Sequence, residues 1–173
     1  QELLALLVIR RRARREEIAE ELWPGHAGGA RNLRTTLSYL QRLLQPEGAD
    51  RGRPYFVRAD STWLELTDDE HLRVDAWSLE AAIDHGAGAE AAGHPTTAVE
   101  SYRSAMALWR GEPFADVPEA AWAIADRERL RGLFLTAALR AGELCIETRQ
   151  WARAREAAYA ALAADTWAEA AYR

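Results

Sequence analysis

Residues 15–44 read REEIAEELWPGHAGGARNLRTTLSYLQRLL and contain two helical patterns, separated by a break at Pro24-Gly25. In the first pattern, residues 15–23, Ile18, Leu22 and Trp23 lie at helical spacing. In the second, roughly residues 30–44, four leucines recur at intervals of three or four and predict one apolar stripe: Leu33, Leu37, Leu40 and Leu44. The pair of patterns predicts a short helix followed by a longer amphipathic one.

The polar face of the longer helix carries basic and hydroxyl side chains and no acid. Its members are Arg31, Arg34, Thr35, Ser38, Tyr39 and Arg42. Because a solvated helix usually mixes charges of both signs, fourteen residues from Arg31 to Leu44 without a carboxylate indicate an anionic partner.

The flanking segments complete a pattern that is typical of a winged helix-turn-helix. Before the two helices come an apolar helix over 2–9 and a basic loop formed by Arg10, Arg11, Arg12, Arg14 and Arg15. After a polar loop over 46–54, the runs 55–58 and 62–66 flank Ala59-Asp60-Ser61 and predict a β-hairpin, which would be the wing. In such a domain the long helix enters the major groove and the wing lies against the backbone or the minor groove. The predicted DNA-binding residues are Arg31, Arg34, Thr35, Thr36, Ser38, Tyr39 and Arg42 on the helix, with Arg51, Arg53 and Arg58 near the wing.

From Asp75 onward the sequence predicts only helices. We expect a small-residue linker over 86–95, a helix over 97–109, a long helix opened by Pro118 that runs to Thr148 or is interrupted near Gly142, and a last helix over 153–164. The spacing of Ala98, Tyr102 and Ala105 recurs in Ala154, Ala158 and Ala161, and a glycine stands twelve residues before each set. These offsets resemble the second half of a tetratricopeptide (TPR) unit. The alternative is two alanine-rich helical hairpins without shared ancestry.

The predicted fold class is therefore mainly α: a winged helix-turn-helix with a β-hairpin wing over 1–66, followed by a TPR-like all-α domain of helical hairpins over 67–173. The two parts differ in charge. Residues 1–66 hold 11 arginines and 9 acids, whereas residues 67–173 hold 11 arginines and 18 acids. A mildly basic segment is thus joined to an acidic one, which agrees with nucleic-acid binding by the first part.

Several function classes are excluded by composition. The chain has no lysine, so it has neither a P-loop lysine nor a Schiff-base lysine. Its only cysteine is Cys145 and its four histidines are dispersed, which argues against disulfides and a zinc site. The longest apolar runs, Leu3 to Ile9 and Ala157 to Ala164, are too short to span a bilayer. We expect no enzyme, no catalytic residue, no cofactor, no metal and no membrane contact.

The order of segments resembles the SARP (AfsR/DnrI/RedD) family of actinobacterial regulators. Its winged helix, which is OmpR-like, is similar to REEIAEELWPG, ARNLRTTLSYLQRLL and the hairpin with Trp63-Leu64. Its bacterial transcriptional activator domain (BTAD) is similar to VDAWSLEAAI, AVESYRSAMALWRGEPFADVP and AAWAIADRERLRGLFLTAAL. The resemblance implies a cytoplasmic DNA-binding transcription regulator of the activator type. Its implied partners are double-stranded promoter DNA, RNA polymerase, a second copy of the chain and other domains of a larger regulator.

The chain departs from the family pattern in three respects. The family's N-terminal strands are missing and a third TPR-like pair would follow where this chain stops, so we expect a fragment. Arg14 stands where a serine usually caps the short helix. Tyr39 and Gln41 stand where the family usually has arginines, which should weaken phosphate binding.

A second hypothesis is a TPR-type protein-interaction scaffold in a larger signalling protein, with a winged helix that does not bind DNA. The two hypotheses differ in what happens to the arginines. DNA binding predicts a positive surface centred on Arg31, Arg34, Arg42 and Arg58, whereas a scaffold predicts that these arginines pair with acids.

Overall fold

The computed structural model describes residues 1–45, 55–68 and 71–172. It is mainly helical, with one small antiparallel sheet followed by an all-helical region, which confirms the predicted fold class. The chain forms two compact units. Unit 1 comprises Gln1–Val74 and Phe114–Asp126, and unit 2 comprises Asp75–Pro113 and Arg127–Arg173.

Unit 1 contains three helices: α1 (Glu2–Arg10), α2 (Arg15–Leu22) and α3 (Gly29–Leu44). Leu33, Leu37 and Leu40 of the predicted stripe are buried and Leu44 is half-buried, so the apolar face of α3 is the one that the sequence indicates. The core is completed by Leu3, Leu6 and Leu7 of α1 and by Ile18 of α2, all four nearly inaccessible to solvent. The short helices are therefore stabilised by tertiary packing, as helices of two or three turns must be.

The start of α2 shows how Arg14 replaces a capping serine. No side-chain hydrogen bond from Arg14 caps the helix. Instead, the backbone N–H of Arg14 donates to Oε2 of Glu17 at 3.2 Å. This bond is the glutamate half of a capping box, so one terminal donor is satisfied without a serine hydroxyl.

The sheet has three strands, not the two of the predicted hairpin alone. The hairpin strands β2 (Val57–Ala59) and β3 (Trp63–Leu66) are confirmed, and β1 (Arg12–Arg14) pairs antiparallel with the other side of β3. The prediction of a basic loop over residues 10–15 is thus wrong for its central part. A three-residue strand with one buried side chain, Ala13, is too short to show alternation, and its hydrogen-bond partner is distant in sequence.

Unit 2 is built from helices: α4 (Asp75–Ala91), α5 (Pro95–Leu108), α6 (Ala121–Glu147) and α7 (Trp151–Ala164), followed by a 3-10 turn over Glu169–Tyr172. The first residues of α6 belong to unit 1. One predicted boundary is wrong here, because Pro118 lies in a turn and α6 starts at Ala121. Of the two predicted alternatives for its course, the continuous helix is observed, since α6 passes through Gly142 and ends at Glu147.

The predicted linker over residues 86–95 is also wrong, because α4 extends to Ala91 and only residues 92–94 connect it to α5. The small residues serve packing instead. Gly86 is buried against the ring of Tyr102, and a Cβ atom at Gly86 would lie 2.7 Å from Cε1 of that ring. Glycine is thus required for the close approach of the two helices and does not end α4.

The core of unit 2 combines stacked aromatic rings with a half-buried polar cluster. The rings of Trp109 and Phe134 stack with their centroids 4.5 Å apart. Cys145, which lies on α6 like Phe134, is also buried, and burial raises the pKa of its thiol. In the polar cluster, the hydroxyl of Tyr102 donates to Oε2 of Glu90 at 3.0 Å, and Arg140 forms an ion pair with the same carboxylate. Among the described residues, no helix is long and apolar enough to cross a membrane.

Candidate nucleic-acid interface

The exposed face of α3 carries most of the residues that the sequence predicts for DNA binding. Five of them recur at i, i+3, i+4, i+7 and i+11 and share one face of the helix: Arg31, Arg34, Thr35, Ser38 and Arg42. All five are exposed, and Tyr39, at the edge of this face, is 64% exposed. Thr36 is half-buried and lies toward the apolar side of the helix. The structure therefore brings six of the seven predicted helix residues together on the solvent side.

Hydrogen bonds and ring contacts within this face are local. The hydroxyl of Thr35 donates to the carbonyl oxygen of Arg31 at 3.2 Å. The guanidinium of Arg42 donates to Oγ of Ser38 at 3.4 Å, and its Cζ lies 5.3 Å from the centroid of the Tyr39 ring. These contacts orient Arg42 without neutralising its charge.

The arginines of this face differ from most arginines of unit 2 in having no carboxylate partner. In the described part of the chain, Arg31, Arg34, Arg42 and Arg58 form no salt bridge. By contrast, Arg153 pairs with Glu100 at 2.7 Å and Arg129 pairs with Glu80 at 2.6 Å. Because nothing cancels their charge locally, the face of α3 has a positive potential.

The wing hairpin is attached directly to α3. Nε2 of Gln41 donates to the carbonyl oxygen of Val57 in β2 at 2.9 Å, which fixes the helix against the wing. Gln41 thus has a structural partner in the hairpin. Arg58 is exposed on β2, whereas the predicted contacts Arg51 and Arg53 lie outside the described residues.

The tip of the hairpin is held by an aspartate. Oδ1 of Asp60 accepts the backbone N–H groups of Thr62 at 2.6 Å and Trp63 at 2.7 Å. These hydrogen bonds lower the pKa of Asp60 below its usual value, because they favour the charged carboxylate. The turn therefore has a defined conformation at the point where a wing would meet DNA.

Two arginines of β1 were not predicted as site residues. The guanidinium carbons of Arg12 and Arg14 lie 4.7 Å and 5.3 Å from the centroid of the Trp63 ring. In the structure Ala13 is buried and both arginines are exposed, but three residues are too few for the sequence to show this alternation. The position of these arginines therefore follows only from the pairing of β1 with β3.

Within residues 1–45, 55–68 and 71–172, no group of three or more histidine, cysteine, aspartate or glutamate side chains could hold a metal ion.

Comparison with known proteins assigns the helical part of the chain to a family. Residues 74–173 match the family model of the bacterial transcriptional activator domain. This is a family of regulatory domains and not of enzymes, so the chain falls in the class of bacterial regulatory proteins. The chain belongs to the bacterial transcriptional activator domain family, which confirms the second half of the resemblance. No curated protein matches the chain.

Proposed function

We propose that the chain is a DNA-binding transcription regulator of the activator type, which reads promoter DNA with α3 and contacts its backbone with the wing. The family supports transcriptional activation in general terms. The single observation that carries DNA binding is the exposed face of α3, where Arg31, Arg34 and Arg42 have no salt bridge to any described residue.

The chemistry of this face suits a duplex. An α-helix fits the major groove of B-DNA, and arginine can donate two hydrogen bonds to O6 and N7 of guanine or bind a phosphate. The hydroxyl groups of Thr35 and Ser38 lie between the arginines and can reach phosphates or base edges. Thr36, which is half-buried, would lie at the edge of the interface, and Arg53 and Arg58 would contact the backbone.

The helical region supplies the second part of the proposal. Residues 67–173 are acidic, with 18 acids against 11 arginines, so they are unsuited to DNA themselves. We assign to this region the contacts with RNA polymerase, with a second copy of the chain and with other domains of a larger regulator. Such a protein acts in the cytoplasm, where bacterial DNA is transcribed.

The test is binding of a labelled random-sequence duplex, followed by fluorescence anisotropy at several salt concentrations. The wild-type chain is compared with Arg34→Ala/Arg42→Ala and with a control of equal charge change, Arg103→Ala/Arg153→Ala. The control arginines are half-exposed and pair with Glu100. Since each lost phosphate contact lowers the salt slope by roughly 0.9, we expect a decrease of about 2 for the α3 variant and none for the control.

Two results would contradict the proposal. If the α3 variant and the control bind equally well, the face of α3 does not contact DNA. If the wild-type chain binds no duplex even at low salt, the scaffold hypothesis replaces the regulator.

A further inference from the structure

The exposed face of the sheet carries a second arrangement of arginines, distinct from α3. We propose that Arg12, Arg14, Arg58 and Trp63, here called the Arg–Trp surface, bind the phosphate backbone of the DNA duplex that α3 reads. This inference rests on the proposed function, and it adds β1 and Trp63 to the binding surface.

Strand register places the four side chains on one face. Arg14 is opposite Trp63, and Arg12 and Arg58 are both opposite Glu65, from the two sides of β3. Directly paired residues of an antiparallel sheet project from the same face, and residues two apart in a strand do so as well. The residues between them, Ala13, Val57, Leu64 and Leu66, are buried on the other face. The Arg–Trp surface is therefore the solvent side of the sheet.

The Trp63 ring holds the two β1 guanidinium groups at the surface. Their Cζ atoms lie 4.7 Å (Arg12) and 5.3 Å (Arg14) from the ring centroid, within the range of a cation–π contact. The ring is half-buried and thus anchored in the sheet. A cation–π contact orients an arginine but leaves its charge and its N–H donors available, whereas a salt bridge would occupy both. Arginines held in this way lose less side-chain entropy when they bind a phosphate.

The charge of the surface favours an anionic partner. Among the described residues, Arg12, Arg14 and Arg58 form no salt bridge. The carboxylate-bearing residue at the centre of the face is Glu65, which is paired in strand register with Arg12 on one side and Arg58 on the other. Two further carboxylates lie near the surface and accept backbone N–H groups: Asp60 accepts two in the turn, and Glu17 accepts that of Arg14. Within the solvent side of the sheet itself, the strand register places three guanidinium groups beside one carboxylate, that of Glu65.

The dimensions of the surface match a duplex backbone. Neighbouring strands lie about 4.8 Å apart, so the outer strands β1 and β2 are separated by about 10 Å. Since each strand of B-DNA carries one charge for each ~3.4 Å of axis, a face of this width can meet about two or three phosphates of one strand. The surface also adjoins the proposed reading helix, because Gln41 of α3 donates to Val57 of β2.

The β1 end of the surface is fixed to the wing tip. The backbone N–H of Arg15 donates to the carbonyl oxygen of Thr62 at 2.8 Å, and its guanidinium donates to the carbonyl oxygen of Asp60 at 3.3 Å. Arg14 is therefore held beside the turn that a wing would bring to the backbone. A contact of the wing with DNA would bring the β1 arginines to the same strand of phosphates.

The experiment measures duplex affinity and its salt slope for Arg12→Gln/Arg14→Gln in the full chain, with a labelled random-sequence duplex. Arg103→Gln/Arg153→Gln provides the matched change in charge, and Arg12→Lys/Arg14→Lys retains the charge on β1. We expect a salt slope lower by about 2 for the glutamine variant, and a slope close to that of the wild type for the lysine variant and the control. Circular dichroism verifies that each variant is folded.

Trp63 is a positioning residue and needs a separate comparison. Trp63→Phe keeps an aromatic face, whereas Trp63→Leu keeps only apolar packing. We expect the phenylalanine variant to bind within about twofold of the wild type and the leucine variant to bind several-fold more weakly, because only the former can hold the guanidinium groups. Equal binding by the two variants would overturn the positioning role.

The outcomes separate this inference from the proposed function. If Arg34→Ala/Arg42→Ala loses binding while Arg12→Gln/Arg14→Gln binds like its control, α3 reads DNA and the Arg–Trp surface does not contact it. The inference is then overturned, and the β1 arginines would belong to an acidic protein partner. If the wild-type chain binds no duplex, both proposals fall together.

Discussion

At the scale of single residues, the chain uses arginine in two ways. On α3 the guanidinium of Arg42 contacts a hydroxyl group and an aromatic ring, and on β1 those of Arg12 and Arg14 contact the Trp63 ring, so all three keep their charge. In unit 2 most of them pair with carboxylates, as Arg140 does with Glu90 and Glu143. The first use suits an external anion and the second joins helices of the same unit, so the ion pairs of unit 2 should be visible in its stability.

The ion pair of Glu90 predicts a specific response to acid. The Arg140 guanidinium, assisted by the Tyr102 hydroxyl, holds the pKa of Glu90 below its usual value in the folded chain. The resulting stability is fully present above the unfolded pKa of about 4.3 and is lost as the pH falls through the lower folded pKa. We therefore expect the free energy of unfolding to fall less steeply below about pH 4.5 in Glu90→Gln than in the wild type, as measured by urea titrations monitored by circular dichroism.

Glu147→Gln serves as the control, because Glu147, the last residue of α6, is exposed and forms no ion pair within the described residues. Its acid response should equal that of the wild type. Parallel curves for wild type and Glu90→Gln would show that the ion pair contributes nothing to acid stability.

Two helical glycines that occupy the same position in the repeated sequence pattern differ in their structural surroundings. Gly86 and Gly142 each stand twelve residues before an alanine of the repeated pattern, Ala98 and Ala154. A Cβ atom at Gly86 would lie 2.7 Å from the buried Tyr102 ring, whereas at Gly142 the nearest atom, Cβ of Ala157, would be 3.7 Å away. The first distance is a clash and the second is an ordinary contact.

This difference predicts opposite signs for the same substitution. Gly86→Ala should destabilise unit 2 by about 1–3 kcal/mol, because the Tyr102 ring is buried and its hydroxyl is bonded to Glu90, so it cannot move away. Gly142→Ala should be neutral or stabilise α6 by up to about 1 kcal/mol through helix propensity. Urea denaturation measures both, and destabilisation of equal size at the two sites would refute the packing argument.

Some elements of the fold could be predicted from the sequence and others could not. The helix α3 and the hairpin were predictable, because a leucine stripe and a turn between β-forming runs are local signals. The strand β1 was not, since its evidence is a hydrogen-bond partner distant in sequence. The end of α4 was misplaced because glycine reads as a helix breaker when its packing partner, Tyr102, is unknown. In the candidate site, the α3 arginines follow from spacing, whereas the β1 arginines and the bond from Gln41 follow only from tertiary structure.

At the scale of the whole molecule, the family match and the compact units divide the chain differently. The match runs without a break from residue 74 to 173, whereas unit 1 includes Phe114–Asp126 from within that range. Two residues of this segment, Val117 and Ala123, are buried. The activator-domain sequence thus supplies part of the unit that contains α3 and the wing.

This division predicts that residues 1–74 are less stable alone than in the complete chain. The 1–74 fragment lacks Phe114–Asp126, which belongs to the same compact unit, and therefore loses the packing that this segment provides. We expect faster hydrogen exchange at the amides of Leu6 and Leu7 in the 1–74 fragment than in the full chain, measured by NMR or mass spectrometry. Equal exchange would mean that unit 1 is complete without residues 114–126.

The reactivity of the buried Cys145 thiol can be used to measure local opening of unit 2. Because the sequence has no second cysteine, a maleimide or disulfide reagent has one target, and that target is covered by packed helices and has a raised pKa. Modification therefore requires a local opening of this part of the unit, and the modification rate measures how often such openings occur. Binding of DNA to unit 1 would change the modification rate only if the two units are energetically coupled. The modification rate of the wild-type protein therefore measures such coupling without an added label.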